Sequence, residues 1–241
     1  SRLWGQRKAY SVVRIPTEAQ EAALRLHRER QRLVKEQTEH VARIKSLAIL
    51  HGVAVCHPAR MEVEALHDWD GKALQTPWAE ELKREQQRLA LVQEQIKALE
   101  TTQERVLKRA ATPAEEKAGK LYKLKAIGIQ GSWILAHECF GWRHFQNRRQ
   151  LGSFAGLTGT PFDSGDTLRE QGISKAGSGR VRHAMIELAW SWIRWQPNSA
   201  LTHWFVDRYI REGSKRSKRK GIVAVARKLL VALWKYVEQD V

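Results

Sequence analysis

The sequence contains little cysteine and no long apolar run. Cys56 and Cys139 are the only two cysteines among its 241 residues, and neither has a second cysteine at the spacing of a zinc module. This sparse use of cysteine fits a reduced, intracellular compartment. No apolar run approaches the roughly 20 residues of a membrane span, and no signal peptide is visible. We therefore expect neither a zinc module nor a membrane protein.

Acidic residues are also scarce relative to basic ones. The chain has 42 Lys and Arg against 26 Asp and Glu, which gives a formal net charge of +16. Such an excess favours a polyanionic partner, because each phosphate that a protein neutralises releases a bound counterion. A generally basic surface without such a partner is the alternative. Apolar residues, at 42%, are frequent enough for a folded protein.

The first half of the chain predicts two long helices. After an extended stretch at 1–16, a helix is expected from Thr17 to His51, and a second helix from Pro77 to Ala110. Apolar residues of the second helix follow spacings of 7, 3, 4 and 3 at Leu82, Leu89, Val92, Ile96 and Leu99. This heptad pattern predicts a coiled-coil arm over 17–111 with an irregular insert at 52–78. The alternative is a pair of helices in a compact bundle.

The composition changes near residue 112. Seven of the ten tryptophans lie between Trp133 and Trp234, which indicates a separate globular domain over 112–241. Its segments read as helices, so the predicted fold class is mostly α: a long coiled-coil hairpin followed by a compact α-helical domain.

Two stretches of this domain are candidate phosphate contacts. Gly128 and Gly131 form a Gly-x-x-Gly turn between helical segments, where backbone amides can bind a phosphate; a plain tight turn between helices is the alternative. Arg148 and Arg149 begin another helix, where they either contact phosphate or are simply solvated.

The stretch "FDSGDTLREQGISKAGSGRVRH" (162–183) predicts a glycine-rich loop before a helix that starts near Ser178 or Gly179. Exposed amides at that helix start, with Lys175, Arg180 and Arg182, make a candidate phosphate site. The alternative is a capped helix after a flexible loop. The order of residues does not match a Walker A loop.

A basic run follows near the C-terminus. The stretch "REGSKRSKRKG" (211–221) predicts a solvated segment whose natural use is contact with a polyanion. It contributes these candidate residues: Lys215, Arg216, Lys218, Arg219 and Lys220.

The ordered set of these stretches resembles a known family. The Gly-x-x-Gly turn, "RRQLGSFAGLTGTPFDSG", "GISKAGSGRVR" and "VAVARKLLVALW" look like the transposase domain of the insertion-sequence one-ten family, particularly its eleven-eleven subgroup. The upstream stretch that begins "VVRIPTEAQEAALRL" resembles the coiled-coil region of the same family.

The resemblance implies a DNA recombinase that joins insertion-sequence and target DNA with a guide (bridge) RNA. It implies a serine nucleophile that becomes linked to a DNA phosphate. That serine carries over to Ser164, with Ser174 as the alternative, and Arg169, Lys175, Arg180 and Arg182 are its implied phosphate partners.

The family also implies an N-terminal RuvC-like domain whose acidic residues bind Mg²⁺. This domain should precede "VVRIP", where the chain has only a few residues. We therefore expect the Mg²⁺ ligands to be absent from this chain and expect no DNA cleavage by the chain alone.

The expected partners are DNA, the guide RNA and further copies of the chain, as a dimer or tetramer through the coiled coil. The expected location is the prokaryotic cytoplasm, in association with the nucleoid. Two other functions stay open: a non-catalytic nucleic-acid-binding structural protein that dimerises through the coiled coil, and a helical adaptor for a protein partner.

Overall fold

The computed structural model describes residues 15–164, 167–211 and 213–239, without the side chains of 161–171 and 239. Within these residues the chain is mostly α-helical, as predicted. No helix there is both long and apolar enough to cross a membrane. The elements in chain order are α1 (Glu18–Ile49), α2 (Thr76–Arg109), α3 (Pro113–Tyr122), α4 (Ile129–Ile134), α5 (Arg148–Phe154), β1 (Gly159–Ser164), β2 (Thr167–Ile173), α6 (Gly179–Trp195), α7 (Ala200–Phe205) and α8 (Lys215–Gln239). Two π-helical segments, Leu135–Phe140 and Val206–Ile210, continue α4 and α7.

Helices α1 and α2 form a long antiparallel hairpin. Helix α1 starts where the sequence predicts, because Thr17 and Gln20 form a capping box in which each side chain accepts a hydrogen bond from the other backbone amide. Helix α2 carries Pro77 in its first turn, where a missing amide hydrogen does no harm. With 32 residues, α1 extends about 48 Å at about 1.5 Å per residue.

The apolar seam of this hairpin is closed within one chain. Leu89 lies in a buried cluster with Ile44, and Ile96 lies in another with Leu33. The heptad residues predicted from the sequence thus hold α2 against α1, and the buried ones are Leu82, Leu89, Val92 and Ile96. Association with another copy would have to use other residues of the hairpin.

Polar contacts across the hairpin support its register. They cross from α1 to α2 at three levels: Arg30–Glu100 at 2.6 Å, His40–Glu85 at 2.7 Å and Arg43–Glu81 at 2.7 Å. The exposed Arg43–Glu81 pair contributes little by itself, but the three contacts together favour a single alignment of the two helices.

The far end of the hairpin carries the irregular segment 50–75. It contains two short 3-10 turns, Pro58–Arg60 and Val63–Ala65, and an isolated bridge between His67 and Ala73. The buried side chain of Val63 packs onto the apolar seam, so the segment folds back onto the hairpin.

At its near end, the hairpin is joined to the helical domain through buried polar contacts. The indole of Trp133 donates to the carbonyl of Ala23 at 3.3 Å. His27 Nδ1 donates to the side-chain oxygen of Gln130 at 3.1 Å, and Gln130 Nε2 donates to Gln103 Oε1 at 2.7 Å. These contacts tie α1, α2 and α4 together, and burial lowers the pKa of His27 to about 4.

The core of the helical domain lies between α3, α4, α5, α6 and α8. Gly131 of α4 permits a close approach to α6: a Cβ there would lie 2.7 Å from Leu188 Cδ2. The largest fully buried side chains of this cluster are Leu121, Leu135, Phe140, Leu151, Leu157, Met185, Phe205 and Leu229.

One expectation from the sequence was wrong. Residues 162–164 and 167–173 are not a loop but belong to the two strands of an antiparallel β-hairpin, in which Phe162 pairs with Arg169 and Ser164 with Thr167. Two residues, Gly165 and Asp166, separate the strands, and Gly-Asp is a typical hairpin sequence that the frequent glycines obscured. The helix start predicted near Ser178 or Gly179 is confirmed by α6.

The buried His27 predicts acid destabilisation of the junction. Its folded pKa of about 4 is below the ordinary histidine value of 6.5, so between these values the unfolded chain binds more protons. Stability is therefore fully present above pH 6.5 and falls as the pH drops toward 4.

For this one group we expect the free energy of unfolding to fall by about 2 kcal/mol between about pH 7 and pH 5. Urea unfolding at both pH values should show a smaller loss for His27→Gln than for the wild type. His203→Gln, which changes an exposed histidine of α7, should retain the full loss. Equal losses in His27→Gln and wild type would contradict the assignment.

Candidate nucleic-acid interface

The glycine-rich turn at 174–178 packs against the end of α5. Its backbone amides donate to carbonyls of the preceding segment: Ser174 to Thr158 at 2.8 Å, Lys175 to Gly156 at 3.3 Å, and Ser178 to Phe154 at 2.6 Å. The side chain of Ser178 caps α6 by accepting from the Val181 amide. Three of the amides expected to face a phosphate are thus already used inside the protein.

The glycines of this region permit the close contact. A Cβ on Gly177 would collide with the carbonyl oxygen of Phe154 and lie 2.5 Å from the oxygen of Ser153. Gly156 has a φ of +64°, which favours glycine. The turn is therefore a rigid support for the start of α6 and for the side chains that it presents.

Two of the predicted cations are held together at this turn. Arg182 donates from Nη1 to the carbonyl of Lys175 at 3.0 Å, and Lys175 is exposed. Arg180 differs, because its guanidinium lies 3.6 Å from Glu138, which also lies 3.7 Å from Arg28. Part of the charge of Arg180 is thus neutralised by the protein itself.

Helix α5 extends the positive surface away from the turn. Asn147 caps the helix, and Arg148 and Arg149 of its first turn are exposed. One turn further, Arg227 of α8 lies beside α5, with its Nε 3.7 Å from the position of a Cβ on Gly152.

Five cations therefore follow α5 from its start to the glycine turn. We call this set the α5 row: Arg148, Arg149, Arg227, Arg182 and Lys175. No Asp or Glu occurs in residues 139–162, so α5 and its flanks bring no carboxylate to offset the row. Sequence reading missed Arg227, because it lies in an amphipathic helix far along the chain and only packing brings it here.

Most of the basic run near the C-terminus, residues 215–221, is helical. It forms the start of α8, where these side chains are all exposed: Lys215, Arg216, Lys218, Arg219 and Lys220. The N-terminal end of a helix carries partial positive charge, so cations are disfavoured there and anions favoured. Lys218 also lies 5.6 Å from the centre of the Trp190 ring. A bound polyanion would relieve this concentration of positive charge.

The two glycines of the Gly-x-x-Gly turn differ in the space around the position that a Cβ would occupy. Gly128 caps α4 and has no atom within 4 Å of a Cβ position, whereas Gly131 faces Leu188 of α6. The need for glycine at 131 is thus explained by helix packing.

Ser164 lies at the end of β1, away from the base of the β-hairpin. The structure describes its backbone and that of Arg169, but their side chains lie outside the described residues. At about 3.3 Å per residue, the strand places Ser164 roughly 15 Å from Gly159. Lys175 and Ser174, by contrast, lie just beyond the base. The backbone positions of Ser164 and Lys175 are therefore at opposite ends of the β-hairpin.

The described residues provide no metal centre. Among them, no group of three or more His, Cys, Asp and Glu side chains is placed to hold a metal ion. His183 and Glu187 are both exposed on α6. Cys139 is fully buried, and burial raises the pKa of its thiol, which disfavours a thiolate nucleophile. The carboxylates of the described residues therefore do not fit a Mg²⁺ site.

Part of the helical domain is similar to a known protein family. Residues 118–203 match the transposase IS116/IS110/IS902 family. The matched segment runs from α3 to α7 and includes α5, the β-hairpin, the glycine turn and α6. The resemblance predicted from the sequence is thus confirmed at family level for this segment, and the bridge-RNA subgroup stays a prediction.

Two relatives from Sinorhizobium fredii (strain NBRC 101917 / NGR234) are similar to the chain. "Putative transposase y4rJ" is 41% identical over 250 residues, which cover 98% of this chain and 62% of the relative. "Putative transposase y4qE" is 29% identical over 139 residues, which cover 47% of this chain and 34% of the relative. The chain thus matches less than two thirds of either relative.

The glycine turn predicts that Gly177 cannot carry a side chain. For Gly177→Ala we expect a loss of about 3 kcal/mol or more in unfolding free energy, because the methyl group meets rigid backbone. Gly179→Ala is the matched control, since the nearest atom to its Cβ would be Arg182 Nη2 at 3.6 Å. Thermal unfolding of both variants measures the difference; equal melting temperatures would show that the turn is not tightly packed.

Proposed function

We propose that the chain acts in a DNA transposase or recombinase, in which the helical domain binds DNA and a guide RNA. The match of residues 118–203 to a transposase family carries this proposal. The α5 row and the basic start of α8 support it, because exposed cations of this kind bind a phosphate backbone.

Contacts to the phosphate backbone position a protein on nucleic acid but do not read its sequence. The α5 row spans one helix and ends at the turn that starts α6. If this row holds a duplex, Ser164 at the far end of the β-hairpin would reach a phosphate about four base pairs away, at about 3.4 Å per base pair. The β-hairpin would then separate the site of duplex binding from the site of strand cleavage.

The chemical part of the proposal assigns the nucleophile to Ser164. Its hydroxyl oxygen would attack the phosphorus of a DNA phosphodiester and displace one deoxyribose oxygen. The serine hydroxyl loses its proton, and the leaving deoxyribose oxygen gains one. The new serine–phosphate ester keeps the energy of the broken phosphodiester bond available for the later joining step. A serine needs activation for this attack, and cations near the phosphate stabilise the charge that develops there.

A non-catalytic structural role is the second candidate. It is supported by the extent of the helical hairpin, whose helix α1 is about 48 Å long, and it requires nucleic-acid binding without covalent chemistry. The two candidates differ at Ser164.

Binding by the start of α8 predicts a specific salt dependence. The triple variant Lys215→Gln, Arg216→Gln, Arg219→Gln should weaken binding of a fluorescein-labelled duplex about tenfold or more at moderate salt. The slope of log affinity against log salt should become shallower, by up to about 0.9 for each lost phosphate contact. Fluorescence anisotropy between about 50 and 200 mM KCl measures both.

A matched control distinguishes the effect of where the cations lie from the effect of the net charge of the protein. Lys35→Gln, Lys45→Gln, Lys97→Gln removes three exposed lysines of the helical hairpin and changes the net charge equally. It should leave the affinity within about twofold. If both triple variants weaken binding alike, the basic surface acts only through its overall charge.

The nucleophile assignment predicts loss of recombination with intact binding. In a bacterial assay of the complete mobile element, Ser164→Ala should lower recombination by about a hundredfold or more. Duplex affinity should stay within about twofold, because a hydroxyl adds little to phosphate binding. Ser174→Ala is the control and should retain recombination. If Ser174→Ala abolishes it instead, the nucleophile is Ser174, and if neither does, the structural role is favoured.

A further inference from the structure

An open groove lies between the α3–α4 turn and the end of α6. Its volume is about 430 Å³, and its walls include Tyr122, Lys125, Gly128, Ser191 and Trp195. This groove is distinct from the α5 row, because α6 has 17 residues and its two ends lie about 24 Å apart.

Hydrogen bonds hold the walls of the groove in place. Ser191 Oγ donates to the carbonyl of Ala126 at 2.8 Å, and Gln196 Nε2 donates to the carbonyl of Lys125 at 2.9 Å. Ala126 has a φ of 86°, a conformation that alanine rarely adopts. Because α6 fixes this turn at two carbonyls, the groove is formed before any ligand binds.

The groove leaves two aromatic side chains in water. Tyr122 and Trp195 are each 51% exposed, although aromatic rings usually bury most of their surface in a core or an interface. Both line the same groove. Part of each ring is therefore open to a flat ligand.

The charges around the groove favour an anionic ligand. Lys123 and Lys125 are exposed, and the guanidinium of Arg194 lies 5.4 Å from the centre of the Trp195 ring. The two segments that form the groove, 117–137 and 188–206, contain no Asp or Glu. A ligand with flat apolar faces and a negatively charged backbone satisfies both features.

We propose that this groove binds unpaired nucleotides of a nucleic-acid strand. One or two bases stack on Trp195 and Tyr122, and the adjacent phosphates lie near Lys125 and Arg194. The strand must be unpaired, because in a duplex both faces of each base are covered by its neighbours. The inference rests on the proposed function, because it assumes a nucleic-acid partner. It concerns residues other than those of the proposed duplex surface.

The test compares single strands with a duplex of the same length. Anisotropy is measured with labelled oligothymidylate, oligouridylate and a mixed-sequence duplex, each of about 16 units. Trp195→Ala and Tyr122→Ala should each weaken single-strand binding about tenfold, since stacking of one base contributes this order of affinity. Duplex affinity should change by less than about twofold, and Trp195→Phe should restore most of the single-strand affinity.

Trp69→Ala is the matched control, because Trp69 is 70% exposed but lies on the irregular segment 50–75. It should leave every affinity unchanged. Loss of binding to either strand supports the proposal, and the strand with the larger loss identifies the source as DNA or RNA. Equal effects of Trp195→Ala and Trp69→Ala would overturn it.

Two further outcomes are distinguishable. If single-strand affinity is unchanged in Trp195→Ala but the wild type sediments as a larger species than this variant, the groove is a protein interface and the proposal is wrong. If duplex binding shows no salt dependence while Trp195→Ala still loses single-strand binding, the proposed duplex surface fails and this groove assignment stands.

Discussion

The contact between Gly177 and the last turn of α5 sets the geometry around which the helical domain is arranged. Gly177 lies against the carbonyl oxygens of Ser153 and Phe154, at a distance that leaves no room for a side chain. Because α5, the base of the β-hairpin and α6 meet here, this contact determines where Lys175 and Arg182 are presented. The amides of Ser174, Lys175 and Ser178 serve this packing, since each donates to a carbonyl of the preceding segment.

The positive charge of the chain is distributed according to this architecture. Along the helical hairpin, arginines face glutamates, as in the Arg30–Glu100 and Arg43–Glu81 pairs. Around α5 and at the start of α8, cations are exposed, and their own segments offer few or no acidic partners. Repulsion among them costs stability in the free protein, and an anionic partner reduces that cost. The helical hairpin thus pairs many of its charges internally, while the helical domain leaves cations exposed around α5 and at the start of α8.

The candidate interface was only partly predictable from the sequence. The start of α6 and the basic run were found because caps and charge clusters are local patterns. The β-hairpin was missed, since glycines and polar residues within 162–173 concealed its alternation. Arg227 and the groove beside Trp195 could not be found, because neither has a local signal. Their neighbours are distant in sequence and come together only when α5, α6 and α8 pack.

The sequence by itself determined the mostly helical class, the two long helices with their apolar seam, and the concentration of positive charge. These follow from periodicity, capping residues and composition, which act over a few neighbouring positions. Tertiary structure decided which face of the hairpin is used, which glycine is needed for packing, and which cations share a surface. It also separated Ser164 from the turn that holds Lys175. Such distances depend on packing between remote segments, and no local rule encodes them.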